Sequence, residues 1–346
     1  MLLEDFDFNL PEGLIAQTPL CNRADARLLV VDARNKGCED YHVRDLLGFL
    51  NPGDLVVLNN TKVIPARLFG KKVSGGAVEL LVERVLSEDR VLVKIRSNRS
   101  PKIEDKIYLT PFGTLTVTGT NGPFHTLSCH SDNNLAEIFK RSGHVPLPPY
   151  IKRVDTKNDV ERYQTLFARE AGAVAAPTAG LHITKEFLRN CRKKFVDVGY
   201  LTLHIGSGTY TPIKSNDING HTMHGEQMVI NSELCNQVNK VKATGGRIFA
   251  VGTTVLRALE TVARTTGQIQ PFAGETKIFI RPGFYFNVVD YLLTNFHMPK
   301  SSLFVLLGAF AGLERIRGAY QYAIEEGYRF YSYGDAMLIS KNRSLK

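Results

Sequence analysis

One block of the chain alternates apolar and polar residues almost without a break, and it interrupts a sequence that otherwise alternates strand and helix patterns. It spans residues 73–129, with turn sequences at Gly75-Gly76 and Asn121-Gly122. Turns of this kind between alternating runs predict β-hairpins. A set of hairpins closes most economically into a small barrel with few open edges. We therefore predict an inserted antiparallel β-barrel domain at residues 67–144.

The flanking sequence predicts a different architecture, a mostly parallel sheet flanked by helices, because strand and helix patterns alternate there to the end of the chain. We expect one discontinuous α/β catalytic domain built from residues 1–66 and 145–346. The predicted helices lie at 11–17, 43–50, 135–141, 160–169, 185–194, 232–243, 254–265 and 303–310. The predicted strands outside the barrel lie at 27–32, 54–58, 171–175, 196–205, 247–251 and 276–280.

Charge and cysteine usage restrict the class of partner and the compartment. The net charge of +9 favours a polyanionic partner. Cations on the predicted barrel, at Lys71, Lys72, Arg96, Arg99 and Lys102, suit a phosphate backbone, whereas the basic run at 189–194 fits a solvated helix face equally well. The five cysteines form no Cys-x-x-Cys pair, and the acidic N-terminus does not resemble an export signal. We expect a cytoplasmic protein without a membrane span.

Four polar loops follow predicted apolar strands in the C-terminal half, and each combines small residues with a His, Thr or Arg. They lie at 175–182, 203–209, 252–257 and 295–302. Small residues let the backbone approach a ligand closely, and loops after parallel strands gather at one edge of a sheet. We expect segments 177–182, 204–209, 252–257 and 295–300 to line one cleft, with Ser301 or Ser302 capping the helix after the last.

Common cofactor motifs are missing. Residues 206–208 lack the third glycine and the following helix of a dinucleotide fingerprint, and neither a phosphate-binding Walker loop nor a Gly-x-Ser-x-Gly elbow is present. His221, His224 and Glu226 have spacings that could suit a metal, but Gly220 and Gly225 favour a polar loop or a substrate contact, and we expect no metal site.

Several long segments of the sequence resemble one family, the S-adenosylmethionine:tRNA ribosyltransferase-isomerases of queuosine biosynthesis. The segments are FDFNLPEGLIAQTPL (6–20), GDLVVLNNTKVIPARLFG (53–70), YIKRVDTKNDVERYQTLFA (150–168), AAPTAGLHIT (175–184), LHIGSGTYTPI (203–213), MHGEQMVI (223–230), VGTTVLRALET (251–261), TNFHMPKSSLFVLLGAFAG (294–312) and YRFYSYGDAMLI (328–339). The run Ala24-Asp25-Ala26-Arg27 lacks the serine that usually precedes the arginine, and Ile183 replaces a usual phenylalanine. Gly225 stands where a serine is common, and so removes its hydroxyl.

The resemblance implies that S-adenosylmethionine serves as a co-substrate that gives up its ribosyl portion. The acceptor is the aminomethyl group of a 7-deazaguanine base at the wobble position of tRNA, and the products are epoxyqueuosine-tRNA, adenine and methionine. We expect no permanently bound cofactor and a monomer. Two other functions stay open at this point, an S-adenosylmethionine-dependent RNA methyltransferase and a non-catalytic RNA-binding protein.

Within these motifs we expect a histidine to remove the proton beside the sulfonium, since a neutral imidazole suits that task. His182 and His204 rank first because their loops contain glycine, and His297 is the third candidate. Arg257 or Arg281 could hold the methionine carboxylate, or both could form structural ion pairs. The other expected donor contacts are Thr178, Gly180, Gly206, Gly208, Thr253, Asn295 and Lys300.

Overall fold

The computed structural model describes residues 1–32, 37–129, 134–206, 208, 213 and 215–342, with the backbone alone at 265 and 266. Ser207 and Thr209 of the second predicted loop lie outside the described residues. The strands are β1 Arg27–Val31, β2 Glu39–His42, β3 Leu55–Asn59, β4 Thr61–Val63, β5 Arg67–Lys72, β6 Ala77–Val85, β7 Arg90–Arg96, β8 Lys106–Leu109, β9 Thr114–Asn121, β10 Phe124–Cys129, β11 Gly143–His144, β12 Glu170–Ala173, β13 Asp197–Leu203, β14 Glu226–Ile230, β15 Ile248–Val251, β16 Phe272–Thr276, β17 Tyr291–Asn295 and β18 Ala336–Ser340. The α-helices are α1 Leu135–Ser142, α2 Lys157–Arg162, α3 Lys185–Lys193, α4 Ser232–Ala243, α5 Thr253–Thr266, α6 Ser302–Ala311 and α7 Leu313–Glu325.

The main sheet has the strand order β16-β14-β13-β3-β15-β17-β18-β1-β2. Its centre is parallel, because β13, β3, β15 and β17 run in one direction. Antiparallel pairings flank this centre on both sides, at β13–β14 and at β17–β18. The sheet is therefore mixed. Strand β3 is buried along its whole length, as a continuous apolar run covered on both faces should be.

Strands β5 to β10 form a closed antiparallel barrel. The order β5-β6-β7-β10-β9-β8 returns to β5 through the pairing of Gly70 with Leu109. Gly70 permits this closure, because a Cβ at that position would lie 2.5 Å from the backbone oxygen of Tyr108. Alternate residues such as Leu80, Val93 and Leu127 fill the barrel interior and are fully buried. The predicted fold class is confirmed, while the domain boundaries at 67 and 144 stay a prediction.

The apolar run at 276–280 was expected to form a strand, and that prediction is wrong. Strand β16 ends at Thr276, and the following residues leave the sheet. The backbone oxygen of Ile278 accepts hydrogen bonds from Arg257 Nε and Nη2 at 3.4 and 3.3 Å instead of pairing with a neighbouring strand. The side chains of Ile278 and Ile280 are nonetheless buried. The apolar alternation therefore indicated that these side chains are buried, but it did not indicate pairing in a sheet.

The helix predicted at 160–169 is also misplaced, because α2 begins at Lys157 and ends at Arg162. Tyr163 is buried against Tyr333, with ring centroids 5.9 Å apart. The Gln164 side chain then hydrogen-bonds the backbone of Val63, with Oε1 3.1 Å from its nitrogen and Nε2 3.2 Å from its oxygen. These tertiary contacts stop the helix after six residues.

Several short elements differ from the sequence-based prediction. The expected helices at 11–17 and 43–50 are 3-10 helices, at Glu12–Leu14 and Val43–Phe49. The strand expected at 171–175 is β12, which pairs with β4 in a separate two-stranded sheet. The prediction missed β2, β14, β17, β18 and α7 altogether. Among the described residues, no helix combines the length and the apolar character that a membrane crossing requires.

Candidate active site

All four predicted loops contribute to one cavity at the carboxyl edge of the main sheet. Thr178, Ile205, Thr253 and Asn295 represent the four loops in its wall. Its interior measures about 80 Å³ and is partly open to solvent. Pockets for nucleoside-sized ligands measure roughly 300–1,000 Å³. We call this space the first cavity, and a ligand of that size must push its walls apart to enter.

Two helices begin at the first cavity. Helix α5 starts at Thr253 without a side-chain cap, after Gly252 in a positive-φ conformation of 97°. Helix α6 starts at Ser302 and is capped by Ser301, whose Oγ accepts from the backbone nitrogen of Phe304 at 3.2 Å. The first turn of a helix offers backbone N–H groups that favour an anion. The uncapped start of α5 is therefore suited to a carboxylate.

The nitrogen of the Asn295 side-chain amide has hydrogen-bond partners, whereas its oxygen has none among the described residues. Its Nδ2 donates to the backbone oxygens of Tyr331 and Asp335 at 3.0 and 3.4 Å, which fixes the orientation of the amide because carbonyls only accept. Asn295 is 2% exposed, and its buried Oδ1 has no partner among the described residues. A buried acceptor without a donor costs roughly 1–3 kcal/mol. A ligand that donates a hydrogen bond would remove that cost.

His182 lies behind Asn295 and does not line the first cavity. Its Nε2 accepts from Asn295 Nδ2 at 3.2 Å. Burial, aided by the charge of Arg23, lowers the pKa of His182 to about 4. The imidazole is therefore neutral near pH 7, and it positions Asn295.

His297 lines the first cavity directly. Its Nε2 and the Oγ1 of Thr294 lie 2.8 Å apart, and its backbone nitrogen donates to the Tyr320 hydroxyl at 2.8 Å. Burial lowers the pKa of His297 to about 3. The ring is thus held as a neutral polar contact in the cavity wall.

His204 lies in a second cavity of about 410 Å³, between strand β6 of the barrel and the main sheet. Its Nδ1 and Thr61 Oγ1 lie 2.8 Å apart. Burial lowers the pKa of His204, although Glu170 acts in the opposite direction. Ile205 lines both cavities, so that His204 lies close to the boundary between them. The sequence predicted a single cleft for these loops. It did not predict that the structure has two separate cavities there.

Arg257 is 4% exposed and forms a buried ion pair with Glu226. Its guanidinium also donates to the backbone oxygen of Ile278. This arrangement matches the structural ion pair that the sequence left open. Arg281, the alternative carboxylate ligand, is exposed and does not line the first cavity.

Four other expected donor contacts lie outside the first cavity. Gly180 packs on Phe167, and a Cβ there would lie 3.1 Å from the Phe167 ring. Lys300 pairs with Glu4 and Asp7 at 3.0 and 2.9 Å. Gly206 and Gly208 line a smaller neighbouring pocket beside His224.

Sequence reasoning missed three lining residues of the first cavity that are far in sequence from the predicted loops, Tyr150, Tyr331 and Ser332. The hydroxyl of Tyr150 lies 2.6 Å from Ser332 Oγ, and the Tyr150 and Tyr331 rings are 4.5 Å apart. Tyr150 and Tyr331 both occur in the segments that resemble the family, and this position in the sequence could have identified them as site residues. Within the described ranges, no group of three or more His, Cys, Asp or Glu side chains could hold a metal ion.

The chain is similar to a set of proteins along its whole length. The family model described as "Queuosine biosynthesis protein" matches residues 3–339. A Stenotrophomonas maltophilia protein named S-adenosylmethionine:tRNA ribosyltransferase-isomerase is 49% identical over 339 residues, which cover 98% of each chain. A Xylella fastidiosa protein of the same name is 50% identical over 335 residues, covering 97% of this chain and 96% of the relative.

Among solved structures, the chain resembles the crystal structure of an S-adenosylmethionine tRNA ribosyltransferase from Thermotoga maritima. The sequence identity is 31% and the TM-score is 0.56. The match covers 97% of this chain and 99% of the other.

Proposed function

The chain belongs to the queuosine biosynthesis protein family, and we propose that it transfers and isomerises the ribosyl portion of S-adenosylmethionine onto a 7-aminomethyl-7-deazaguanine base at the wobble position of tRNA. The products are epoxyqueuosine-tRNA, adenine and methionine. The observation that carries this proposal is the sequence identity of 47–50%, over nearly the full chain, to proteins named for that activity. The first cavity supports it, since four loops meet there around polar groups without any phosphate-binding motif.

The donor occupies the first cavity. Asn295 Oδ1 accepts a hydrogen bond from the donor's adenine amino group or its ammonium group, because this buried oxygen has no other partner among the described residues. The start of α5 at Thr253 holds the methionine carboxylate, since Arg257 is already paired with Glu226. Thr178 and His297 complete the wall.

His204 removes the proton beside the sulfonium. When its Nδ1 carries the hydrogen and donates to Thr61 Oγ1, its Nε2 presents a lone pair. Burial keeps the ring neutral near pH 7 by lowering its pKa. His182 does not contact the donor, and acts by positioning the amide of Asn295.

The protein needs no permanently bound cofactor for this reaction, and it acts as a cytoplasmic monomer. Residues 67–144 form a barrel domain inserted into a catalytic domain made of 1–66 and 145–346. Sedimentation at micromolar concentration tests the monomer, and a dimer there would contradict it.

Two isotopic labels test the activity itself. The protein is incubated with precursor tRNA and with donor labelled either in the ribose or in the methyl group. Ribosyl transfer places the ribose label, and not the methyl label, in the tRNA. Methyl label in the tRNA would show a methyltransferase, and label in neither case would leave only RNA binding.

A further inference from the structure

The second cavity lies where the barrel meets the main sheet, and both parts of the chain contribute to it. Strand β6 supplies Glu83 and Arg84, whereas His204 and Gly206 come from the end of β13 and the loop that follows it. Its volume of about 410 Å³ is within the range of roughly 300–1,000 Å³ typical of small-ligand pockets. Apart from His204, the residues assigned to the donor line the first cavity and not the second.

The second cavity adjoins the first. Ile205 lines both of them, and His204, the neighbouring residue, lines the second. Ile205 is therefore shared by the walls of the two cavities. Two substrates that must react with each other could bind in this arrangement.

The polar groups around the second cavity include carboxylates from both sides. Glu83 lies on the barrel side, and Glu226 lies on the sheet side, where Arg257 fixes it. Arg84 is held by Glu275 at 3.0 Å. Ionised carboxylates accept hydrogen bonds and do not donate them. The cavity therefore suits a ligand that presents several N–H donors.

Two glycines leave room for the Glu83 carboxylate and the His204 ring. A Cβ at Gly206 would lie 2.7 Å from Glu83 Oε1, and a Cβ at Gly172 would lie 2.9 Å from the His204 ring. A side chain at either position would displace one of these groups. Alanine at 206 is therefore a steric test of the Glu83 position.

We propose that the second cavity binds the acceptor base, a 7-aminomethyl-7-deazaguanine turned out of the tRNA anticodon. This proposal rests on the proposed function. The guanine-like edge of the base has an N1–H and a 2-amino group, which donate to the Glu83 carboxylate as a charge-assisted pair. The aminomethyl arm then points past Ile205 toward the donor. Extruding a base into a pocket is the usual way for enzymes to act on a base.

The test compares Glu83→Gln and Gly206→Ala with Glu88→Gln, an exposed carboxylate in the β6–β7 turn. Turnover is followed as adenine release with precursor tRNA, and donor affinity is measured separately by calorimetry without tRNA. We expect Glu83→Gln and Gly206→Ala to lower kcat/KM for tRNA about 10- to 100-fold. Donor affinity should stay within about twofold, which also shows that the variants are folded. Glu88→Gln should behave as the wild type.

Two failures are distinguishable. If the wild-type protein releases no adenine, the proposed function fails, and this proposal fails with it. If the wild type reacts and both variants keep its kcat/KM for tRNA, only the acceptor site is overturned. Equal loss of donor affinity and of kcat/KM in both variants would also overturn it, because the second cavity would then belong to the donor.

Discussion

At the scale of single residues, the proposal that the donor binds in the first cavity rests mainly on Asn295. Two backbone carbonyls and His182 hold its Nδ2, while its Oδ1 is buried without a partner among the described residues. The amide nitrogen therefore has a structural role, whereas the oxygen is available for the proposed hydrogen bond with the donor. Motif reasoning selected Asn295 as a contact, but no sequence pattern could show which of its atoms lacked a partner.

Replacing Asn295 by Ala should weaken donor binding about 10- to 100-fold, since the pocket then no longer offers this hydrogen-bond acceptor. Calorimetry with S-adenosylmethionine measures the effect. Asn239→Ala is the matched control, because Asn239 also bonds backbone atoms, those of Ile269, but lies on α4 away from the cavity. Equal donor affinities for Asn295→Ala and the wild type would remove Asn295 from the site.

His204→Gln should lower turnover about a hundredfold or more while donor affinity survives, because glutamine cannot take up a proton. Single-turnover measurement with saturating tRNA gives the rate. Burial lowers the pKa of His204 from its ordinary value of 6.5. The midpoint of the acid limb in the wild-type pH profile of kcat/KM should therefore lie below pH 6.5.

The control for His204 is His125→Gln, a buried barrel histidine whose Nε2 lies 3.0 Å from Ser100 Oγ. It should leave turnover unchanged. Near wild-type turnover in His204→Gln would move the role of base to another group.

At the scale of elements, α2 and the chain before it are organised by one buried carboxylate. Asp159 accepts from Arg153 at 2.7 and 2.8 Å, from the Thr156 nitrogen at 2.7 Å and from the Tyr333 hydroxyl at 2.8 Å. Burial alone would raise the pKa of Asp159, but these hydrogen bonds outweigh it and hold the pKa well below its usual range. Asp159 thus connects α2 to the segment before β18.

Asp159→Asn should cost roughly 3–5 kcal/mol of unfolding free energy at pH 7, because Arg153 and Tyr333 lose a charged partner. A carboxyl group with a lowered folded pKa stabilises the protein fully above its unfolded value, about 3.9, and loses that effect as the pH falls toward the folded value. The gap between wild type and variant should therefore be constant from pH 7 to about 5 and narrow below about pH 4.

Denaturant unfolding at several pH values measures this gap, with the exposed Asp197→Asn as control. A gap that widens on acidification would contradict the assignment of Asp159.

Element boundaries show where sequence reasoning stops. Helices α4 and α5 were predicted within about one residue, since their apolar faces, the Asn231 cap of α4 and Gly267 at the end of α5 are local signals. The ends of α2 and β16 were not, because Gln164 binds Val63 and Ile278 binds Arg257, partners that are distant in sequence. Strand β17, which leads into the Asn295 loop, was missed because its pairing with β15 and β18 is also distant.

At the scale of the whole molecule, the existence of the barrel was predictable, because the turns of its hairpins are local sequence signals. The cations expected to meet tRNA lie on it. Lys71, Arg96 and Arg99 are exposed, and the Arg96 side chain is 91% accessible. Lys72 donates to the backbone oxygen of Arg99 at 2.8 Å, which ties this cationic patch together.

Replacing Lys71, Lys72, Arg96 and Arg99 together by Gln should weaken tRNA binding and make it less dependent on salt, because cations that bind phosphates release counterions. For every phosphate that the variant no longer neutralises, the slope of log affinity against log salt should become shallower by about 1. Filter binding from low to moderate salt measures it.

The matched control removes four exposed cations from α3, Lys185, Arg189, Arg192 and Lys193, and so changes the net charge equally. If both quadruple variants lose the same affinity, the effect is one of net charge, and the barrel is not the docking surface.

That the donor gives up its ribosyl group is a claim about which products are released, and the stoichiometry of those products can be measured. Wild-type protein, S-adenosylmethionine and tRNA with the 7-aminomethyl-7-deazaguanine base are incubated, and the small molecules are quantified by chromatography. We expect one adenine and one methionine for each tRNA modified, and neither product with tRNA that carries guanine at the wobble position. Accumulation of S-adenosylhomocysteine, or an intact donor in the presence of bound precursor tRNA, would contradict the claim.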